Sequence, residues 1–439
     1  MAKDSLAVAI EALSWIAYTG IGERAALLKA SEEIRIKDSG ALREAHKWIM
    51  ETSRFQNLLD WHLSQDVPDK ITEKTPHGIR SLFRIVAYTR HVQMKPPADL
   101  KRIVGWGRQI IGWRELSAYE VELARVISST RVATTSNLPE LERVAVETCH
   151  PAWYVERVTQ GFGRSAALRI LRRDLLPVCT FARANELKTA DSQRLAEKLH
   201  ASTVNGLNGV FMLDRISRVD ARGHCASSGQ IVIQDLASIV AGLVASPKPG
   251  QVVVDLCASP GNKTSHLAAQ MHNEGNIYSV ELSRNRSRQW RNEMDRTGCS
   301  IATLIRADAA NLPLRNQADL VLVDPPCSNS GVFARNPASK WRITFARMRE
   351  LVRIQAKMLQ VASERLTAGG TLIYCTCSIL PEEDELIVEA FQKKNSEFTL
   401  VPQVPFLGTG GLRGLSYCQR FFPHLHDCNG YFIAKMRKG

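Results

Sequence analysis

The chain has 439 residues, of which 44% are apolar and 23% charged, and its formal net charge at pH 7 is +13. This composition is typical of a globular protein with two or three cores, and it excludes a disordered or fibrous chain; the positive charge favours a polyanionic partner. Because no secretion signal or long apolar run is present, and ten cysteines form no C-x-x-C pair, we expect a cytoplasmic protein without a membrane span or a metal site.

Residues 1–135 are predicted to form an all-α domain. No strand pattern occurs there, and apolar residues recur every three or four positions in the segments Leu6–Tyr18, Glu23–Ile36, Gly40–Leu63, Gly78–Arg90 and Tyr119–Ser128. Basic residues exceed acidic ones by only two, 21 against 19 over residues 1–150, so a purely electrostatic grip on nucleic acid is not expected from this part.

Residues 136–240 are predicted to contain a linker helix and a small α+β module that binds RNA. The expected elements are the helices Trp153–Gly161, Ser165–Arg173 and Asp191–His200 and the strand Val178–Ala182. A last helix, Gly229–Ser246, is expected to carry Gln234, Asp235 and Ser238 and to lead into the third region, residues 241–439.

The stretch Val252–Thr264 reads VVVDLCASPGNKT and predicts a buried strand, a turn and a helix start. Gly261 accommodates positive φ, and Asn262 is one of the few other residues that tolerate it. Neither the dinucleotide fingerprint nor the phosphate-binding loop is present. Because Glu281 ends the next apolar run and suits ribose hydroxyls, a nucleoside without a pyrophosphate is predicted, and S-adenosylmethionine fits.

Beyond this stretch, strands and helices alternate about every 25 residues, which predicts an α/β fold with a doubly wound parallel sheet. The candidate strands are Val252–Leu256, Asn276–Glu281, Ile301–Arg306, Asp319–Val323 and Thr371–Cys375, with Phe398–Val401 and Tyr431–Met436 as an edge pair. Polar or thiol groups follow the first five strands and should converge on one sheet edge: Asp255, Cys257, Glu281, Asp308, Asp324, Cys327, Cys375 and Cys377.

Two cysteines at this edge predict an unusual chemistry. The turn Asp324-Pro-Pro-Cys327 is stiffened by two prolines, and its cysteine stands where nucleic-acid amino methylases have an aromatic residue, so the substrate atom is not expected to be an amine. Cys377 ends the adjacent strand. Carbon 5 of cytosine becomes nucleophilic only when a thiolate adds to carbon 6, and a second group must then remove the carbon-5 proton. Two thiols suit that sequence of steps.

At these residues the sequence resembles the Sun/Fmu-type RNA cytosine-C5 methyltransferases. The resemblance implies a Rossmann-like class I methyltransferase sheet that uses S-adenosyl-L-methionine. It covers the chain from about His150 to the C-terminus and includes Gln234–Ser238, Asp255–Thr264, Asp324–Gly331, Arg335–Pro337, Lys340-Trp341, Gln355, Thr376–Ser378 and Asp427–Phe432.

The resemblance also implies roles for single residues. Cys377 would be the nucleophile, Cys327 would help to release the product, Asp324 would hydrogen-bond the cytosine ring, and Lys263 would support the active site. The methyl-donor pocket would comprise Cys257, Ala258, Ser259, Pro260, Gly261, Asn262, Lys263, Glu281, Asp308 and Asp324.

The chain departs from the family pattern in two ways. Ser259 and Asn262 replace an alanine and a glycine of the usual donor loop, and we expect binding to survive because both residues are small and asparagine tolerates a glycine-like backbone. Cys375 is an extra thiol, and strand alternation would point it the same way as Cys377 if the strand continued that far.

The helical N-terminal region resembles the NusB-type module that some small-subunit rRNA methyltransferases of this family carry, which favours rRNA over tRNA as the substrate. We expect a monomer that holds RNA through its middle module and through the basic run Arg335–Lys357, which has seven basic residues and one acidic residue. The alternatives are a tRNA methyltransferase, a non-catalytic RNA-binding assembly factor and a nicotinamide oxidoreductase.

Overall fold

The computed structural model describes residues 2–68, 70–129, 134–214, 221–312 and 317–439. The chain folds into two compact units. The first unit comprises Met1–Leu176 and Phe333–Thr344, and the second comprises Pro177–Val332 and Phe345–Gly439. The division into domains 1–135, 136–240 and 241–439 stays a prediction. No helix in the described ranges is both long enough and apolar enough to cross a membrane.

The first unit is helical, as the sequence predicts for its N-terminal part. Its core buries Leu6, Ile49, Leu59 and Phe83 completely. The helices are Ala2–Thr19, Glu23–Ile34, Ser39–Arg54, Gln56–Asp66, His77–Ala87, Pro97–Ile111, Trp113–Leu116, Glu120–Ser128, Glu140–Glu147, Ala152–Phe162, Arg164–Arg173 and Ser339–Arg342.

Two helix predictions in this unit need correction. The single helix predicted over Gly40–Leu63 is broken at Phe55, whose φ of −99° and ψ of 12° leave the helical region while its ring stacks on Tyr88 at a centroid distance of 6.0 Å. Helix Pro97–Ile111 was not predicted, although proline at its first position is a recognised start signal.

The segment 333–344 belongs to the first unit and changes the interpretation of the basic run Arg335–Lys357. Lys340 is only 1% exposed, and its Nζ donates to the carbonyl oxygen of Arg54 at 2.9 Å. Trp341 Nε1 donates to the carbonyl of Ser53 at 2.6 Å. Both carbonyls lie at the end of a helix and lack helical partners, so these side chains cap that helix. The prediction that the whole run holds RNA is wrong for Lys340, because its ammonium is buried.

The second unit begins with a small sheet of four strands. They are β1 (Thr180–Ala184), β2 (Ser202–Thr203), β3 (Val210–Leu213) and β4 (Ile231–Ile233). The strands are antiparallel and lie in the order β2-β3-β1-β4. Helix Ser192–Lys198 lies between β1 and β2 in the chain.

The helix predicted over Gly229–Ser246 is wrong in its first part. Ile231–Ile233 is a run of β-branched residues that pairs with β1, and the helix begins only at Leu236. Asp235 caps that helix through a hydrogen bond from the backbone N–H of Ala237 at 3.1 Å. The sequence therefore places two short elements where one long helix was expected.

A nine-stranded sheet forms the centre of the second unit. Its strands are β5 (Val252–Leu256), β6 (Asn276–Val280), β7 (Ala302–Ile305), β8 (Ala318–Val323), β9 (Leu366–Thr376), β10 (Phe398–Leu400), β11 (Thr409–Gly410), β12 (Gln419–Phe421) and β13 (Tyr431–Lys438). They lie in the order β11-β12-β13-β9-β8-β5-β6-β7, and β10 pairs with β13. The helices that follow or join these strands are Leu236–Ala245, Asn262–Gln270, Arg284–Thr297, Phe345–Glu364, Glu385–Lys394 and Pro423–His426.

The five strands β5 to β9 are parallel, which confirms the predicted Rossmann-like sheet. Leu320 and Leu322 pack into one apolar cluster, whereas Val321 and Val323 pack into another, so both faces of the sheet are covered. The two strands predicted as an edge pair do pair with each other, as β10 and β13. Their position at the edge needs correction, because β13 lies between β9 and β12 inside the sheet. The short strands β11 and β12 were not predicted.

Candidate active site

The loop after β5 forms a tight turn that starts helix Asn262–Gln270. Gly261 has a φ of +116°, and a Cβ atom there would lie 2.7 Å from Cε of Met294, so only glycine fits. Asn262 is the first residue of the helix, so its tolerance of a glycine-like backbone is not needed. Cys257 also has a positive φ, 67°, which the sequence did not indicate. This conformation is unfavourable for any residue that has a Cβ atom.

A cavity of about 860 Å³ lies at the carboxyl edge of the parallel strands. Its lining includes six of the eight residues predicted to converge on this edge: Cys257, Glu281, Asp308, Asp324, Cys327 and Cys377. The other predicted donor-loop residues, Ala258, Ser259, Pro260, Gly261, Asn262 and Lys263, do not line the cavity and instead build the turn behind Cys257. That turn is fastened to the next helix by two hydrogen bonds, from Ser259 Oγ to the carbonyl of Arg286 at 2.7 Å and from Arg286 Nη2 to the carbonyl of Ser259 at 2.6 Å.

Two carboxylates on the cavity wall suit a ligand rich in hydroxyl and amine groups. Glu281 is 4% exposed; its Oε1 accepts from the N–H of Ser283 at 2.8 Å, and its Oε2 lies 3.4 Å from Arg286 Nε but has no hydrogen-bond partner in the described chain. Asp308 accepts from the N–H of Ala310 at 2.9 Å. The other Asp308 oxygen accepts from Asn311 Nδ2 at 2.7 Å, and Asp308 is exposed, so its carboxylate is already occupied. A buried carboxylate oxygen without a hydrogen bond is costly unless a ligand supplies the donor, so Glu281 fits a ribose.

Lys263 connects the donor loop to Asp324. Its Nζ donates to Asp324 Oδ2 at 2.6 Å. Burial is the largest single influence and would lower the pKa of Lys263, but the charge and the hydrogen bond of Asp324, together with smaller contributions from neighbouring groups, raise this pKa above its usual value. The ammonium therefore stays charged and holds the Asp324 carboxylate in place.

Asp255, at the end of β5, lies behind the donor loop and is 1% exposed. Its Oδ2 accepts from Thr264 Oγ1 at 2.6 Å. Burial raises the pKa of Asp255 to about 7, although the Thr264 hydrogen bond opposes this shift. This carboxyl holds the loop in place and is not among the residues that line the cavity.

The two thiols predicted to act together lie side by side. Cys327 Sγ and Cys377 Sγ are 3.2 Å apart, and the Cys377 thiol also donates to Asn329 Oδ1 at 3.0 Å. Cys327 is buried, whereas Cys377 is half-buried. The hydrogen bond to Cys377, together with burial, raises the pKa of Cys327 well above its usual value. Cys327 therefore stays protonated at neutral pH, and its S–H group can donate a hydrogen bond to the Cys377 sulfur.

Asn329 contacts the proposed nucleophile but had been given no role from the sequence. It takes a left-handed φ of 58°, and its Nδ2 donates to the carbonyl of Cys327 at 3.3 Å. Asparagine is one of the few residues with a side chain that adopt this conformation readily. The signal available in the sequence was an asparagine two residues after the diproline turn.

A buried network around Glu383 fixes both cysteine turns. The Glu383 carboxylate accepts from the N–H of Ser328 at 2.8 Å, from Ser378 Oγ at 2.6 Å and from Gln355 Nε2 at 2.9 Å. Ser328 Oγ also donates to it. Since Ser328 follows Cys327 and Ser378 follows Cys377, one carboxylate sets the position of both thiols. Glu383 carries no signal in the sequence, because two of its partners, Ser328 and Gln355, come from distant segments of the chain.

Cys375 lies outside the cavity. It is fully buried in β9, and its sulfur accepts a hydrogen bond from the Tyr431 hydroxyl at 3.3 Å. Burial, reinforced by the charge of Asp324, raises the pKa of Cys375 above its usual value. The strand ends at Thr376, before Cys377, so the alternation that would have pointed both thiols the same way does not extend to Cys377.

Comparison with solved structures agrees with this fold. The structure of the protein PH0851 superposes with a TM-score of 0.85 at 25% sequence identity, covering 100% of this chain and 99% of that one. Among curated proteins, the tRNA (cytosine(72)-C(5))-methyltransferase of Pyrococcus horikoshii is 33% identical over 249 residues, which are 56% of this chain and 61% of the relative.

The sequence relatives also point to one family. The profile of the family described as 16S rRNA methyltransferase RsmB/F matches residues 242–437. The probable ribosomal RNA small subunit methyltransferase B of Bacillus subtilis is 31% identical over 313 residues, which are 68% of this chain and 68% of the relative. Together with the site geometry, these matches show that the chain belongs to the RsmB/F family of RNA cytosine-C5 methyltransferases.

Proposed function

We propose that this protein transfers a methyl group from S-adenosyl-L-methionine to carbon 5 of a cytosine in RNA, with rRNA as the preferred substrate. The observation that carries the proposal is the pair of thiols 3.2 Å apart on the wall of a cavity whose other side presents carboxylates. Hydride transfer to a nicotinamide would need neither thiol, so the alternative of an oxidoreductase has no support from the site.

In this mechanism Cys377 is the nucleophile. Its proton passes to solvent, and the thiolate sulfur forms a bond to carbon 6 of the cytosine, which opens the double bond between carbons 5 and 6 and moves its electron pair to carbon 5. The methyl donor, when bound, would supply an electrophilic methyl group, which carbon 5 takes as the bond between that methyl group and the donor's sulfur breaks. Cys327 must first give up its own proton to solvent, and its thiolate then accepts the proton from carbon 5. The bond between Cys377 and carbon 6 breaks, the double bond between carbons 5 and 6 returns, and Cys377 leaves as a thiolate.

The remaining site residues bind and orient. Asp324 is proposed to hydrogen-bond the cytosine ring, and the Lys263 ammonium keeps that carboxylate in position at 2.6 Å. Glu281 and Asp308 would accept hydrogen bonds from the donor's ribose and base, next to Cys257. Ala258 to Asn262 would shape the loop, and Asn329 would orient the Cys377 thiol.

The preference for rRNA rests on the family profile and on the Bacillus relative, whose names specify rRNA of the small subunit. Bisulfite sequencing of rRNA and tRNA from cells with and without the gene tests it. A 5-methylcytosine that disappears from rRNA would support the proposal. Loss of the mark from tRNA alone would assign the protein to the activity named for the Pyrococcus relative, and loss from neither would favour a non-catalytic assembly factor. We further propose a cytoplasmic monomer.

A further inference from the structure

Four arginines of the second unit surround a separate cavity of about 250 Å³. Arg284, Arg288 and Arg291 come from helix Arg284–Thr297, and Arg306 directly follows the next strand, β7. We call these four residues the arginine cluster. The cavity also touches Ser287 and Leu304, and none of its lining residues lines the larger cavity that holds the thiols.

All four guanidinium groups are exposed, and none makes a hydrogen bond or an ion pair with a residue that the structure describes. This contrasts with Arg286 in the same helix, which donates to the Ser259 carbonyl and lies 3.4 Å from Glu281. The charge of Arg286 is thus compensated within the protein, whereas the charges of the arginine cluster are not.

The position of the cluster is electrostatically unfavourable in the isolated protein. Arg284 is the first residue of its helix, where the helix dipole is positive, and the first turn has no acidic residue. Arg284 and Arg288 are also four residues apart, and two like charges at this spacing destabilise a helix by about 0.2–0.5 kcal/mol. An anion bound between these side chains would remove both penalties, so the arrangement indicates an external negative ligand.

The length of the cluster favours a chain of phosphates over a single ion. Arg284 and Arg291 are seven residues apart in the helix, which corresponds to about 10 Å along its axis. Arg306 extends the surface beyond the helix. Arginines carried at backbone positions two helical turns apart can engage successive phosphates of a nucleic-acid strand at the same time, and arginine forks match phosphate oxygens.

We propose that the arginine cluster binds the phosphodiester backbone of the RNA substrate, at a place separate from the methylated cytosine. This inference rests on the proposed function and adds a second contact surface to it. The cluster positions RNA and discriminates no base, since contacts to phosphate carry no sequence information directly.

The test compares two double variants of the full-length protein that each remove two exposed positive charges from the second unit. Arg288→Gln/Arg291→Gln changes the cluster, and Lys393→Gln/Lys394→Gln changes the exposed end of helix Glu385–Lys394 as a matched control. Binding of a small-subunit rRNA transcript is measured as a function of salt, and binding of S-adenosyl-L-methionine is measured by calorimetry.

We expect the cluster variant to bind RNA about tenfold more weakly, with the slope of log K against log salt reduced by about 1.4–1.8, as for two lost phosphate contacts. The control should retain the wild-type slope, both variants should bind the methyl donor normally, and the cluster variant should melt no earlier than the wild type. Because all the substituted side chains are exposed, a folding defect is not expected, and the melting temperature checks this.

Several outcomes would overturn the inference. An unchanged salt slope in the cluster variant would do so, as would equal losses in the two variants, which would indicate a general effect of net charge. Stabilisation of the wild type by inorganic phosphate with unchanged RNA binding of the variant would assign the site to a small anion. If the wild type neither bound nor methylated RNA, the proposed function itself would fail, which is a distinguishable result.

Discussion

The two walls of the large cavity are held in opposite ways. The thiol wall carries Cys327 and Cys377. Their turns are fixed by Glu383, whose oxygens are fully occupied by donors from Ser328, Ser378 and Gln355. The donor wall, which is proposed to bind the methyl donor, carries the buried Glu281 carboxylate, and one oxygen of this carboxylate has no hydrogen bond within the described chain.

This difference separates two tasks that one cavity must perform. A nucleophile needs a fixed position relative to the reacting atom, and protein hydrogen bonds that are already made provide it without reorganisation. A pocket for a ligand that enters and leaves in each turnover needs groups whose hydrogen bonds are completed only by that ligand. Substitutions on the thiol wall are therefore expected to lower activity strongly. Substitutions on the donor wall are expected to lower mainly the affinity for the methyl donor.

The largest effect should come from the thiols themselves. Cys377→Ala cannot form the bond to carbon 6, and we expect methyl transfer to fall by about 1000-fold or more while RNA binding is retained. Cys327→Ala should form the covalent adduct and fail to resolve it. A methyl-labelled protein–RNA complex on denaturing gels is then expected for Cys327→Ala alone. The opposite pattern would exchange the roles of the two cysteines.

Glu383→Gln tests whether the buried network sets the thiol positions. A glutamine offers one acceptor oxygen where four hydrogen bonds are now accepted, so one or more donors lose their partner. We expect a loss of about 2 kcal/mol in the free energy of unfolding, and a fall in kcat of about 100-fold with little change in the KM for the methyl donor. Denaturant unfolding and steady-state kinetics measure the two effects. A wild-type kcat would show that the network is only structural.

Glu281→Gln should weaken binding of the methyl donor about tenfold, because one charged hydrogen bond to the ligand is lost. Single-turnover methylation at saturating donor should remain close to that of the wild type. Calorimetric titration with S-adenosyl-L-methionine measures the affinity, and Glu364→Gln, at an exposed site of the same unit, serves as the control. Unchanged affinity would contradict the assignment of this wall to the donor.

Asp255→Asn tests the support behind the donor wall through its pH dependence. Burial raises the pKa of Asp255 to about 7 in the folded protein, so the fold prefers the protonated form. Its contribution to stability is complete below the ordinary carboxyl pKa of about 4 and is lost as pH rises towards 7. The wild type should therefore lose about 2–3 kcal/mol relative to the variant between pH 5 and pH 8. Denaturant unfolding at several pH values measures the stability of both proteins, and parallel curves of stability against pH for the wild type and the variant would refute this account. Catalysis should change little.

The smallest effect on activity is expected for Cys375→Ala. This thiol is buried outside the cavity, and its loss removes the partner of the Tyr431 hydroxyl. We expect kcat to stay within about twofold of the wild type and stability to fall by about 1 kcal/mol. Kinetics and thermal melting test both expectations. An inactive Cys375→Ala protein that remains folded would move the nucleophile to Cys375.

Local patterns in the sequence determined the parallel sheet and the edge at which the site forms. Continuous aliphatic runs such as Val252–Leu256 mark strands that are covered on both faces, and the polar residue after each run must lie at the same edge when the strands are parallel. For this reason Glu281, Asp324, Cys327 and Cys377 could be named from the sequence, and the structure places all four on one cavity.

Only the tertiary structure decided that residues of the same type, close together in the sequence, have different surroundings. Cys375 and Cys377 are two positions apart, yet one is buried against Tyr431 and the other lies beside Cys327. Lys340 belongs to a basic run but caps a helix that ends at Arg54, almost 300 positions earlier in the chain. The physical reason is that the periodicity of a sequence predicts only the face of a helix or strand on which a residue lies. The burial and the ionisation of that residue depend on partners from distant segments, and those partners are in place only after the chain has packed.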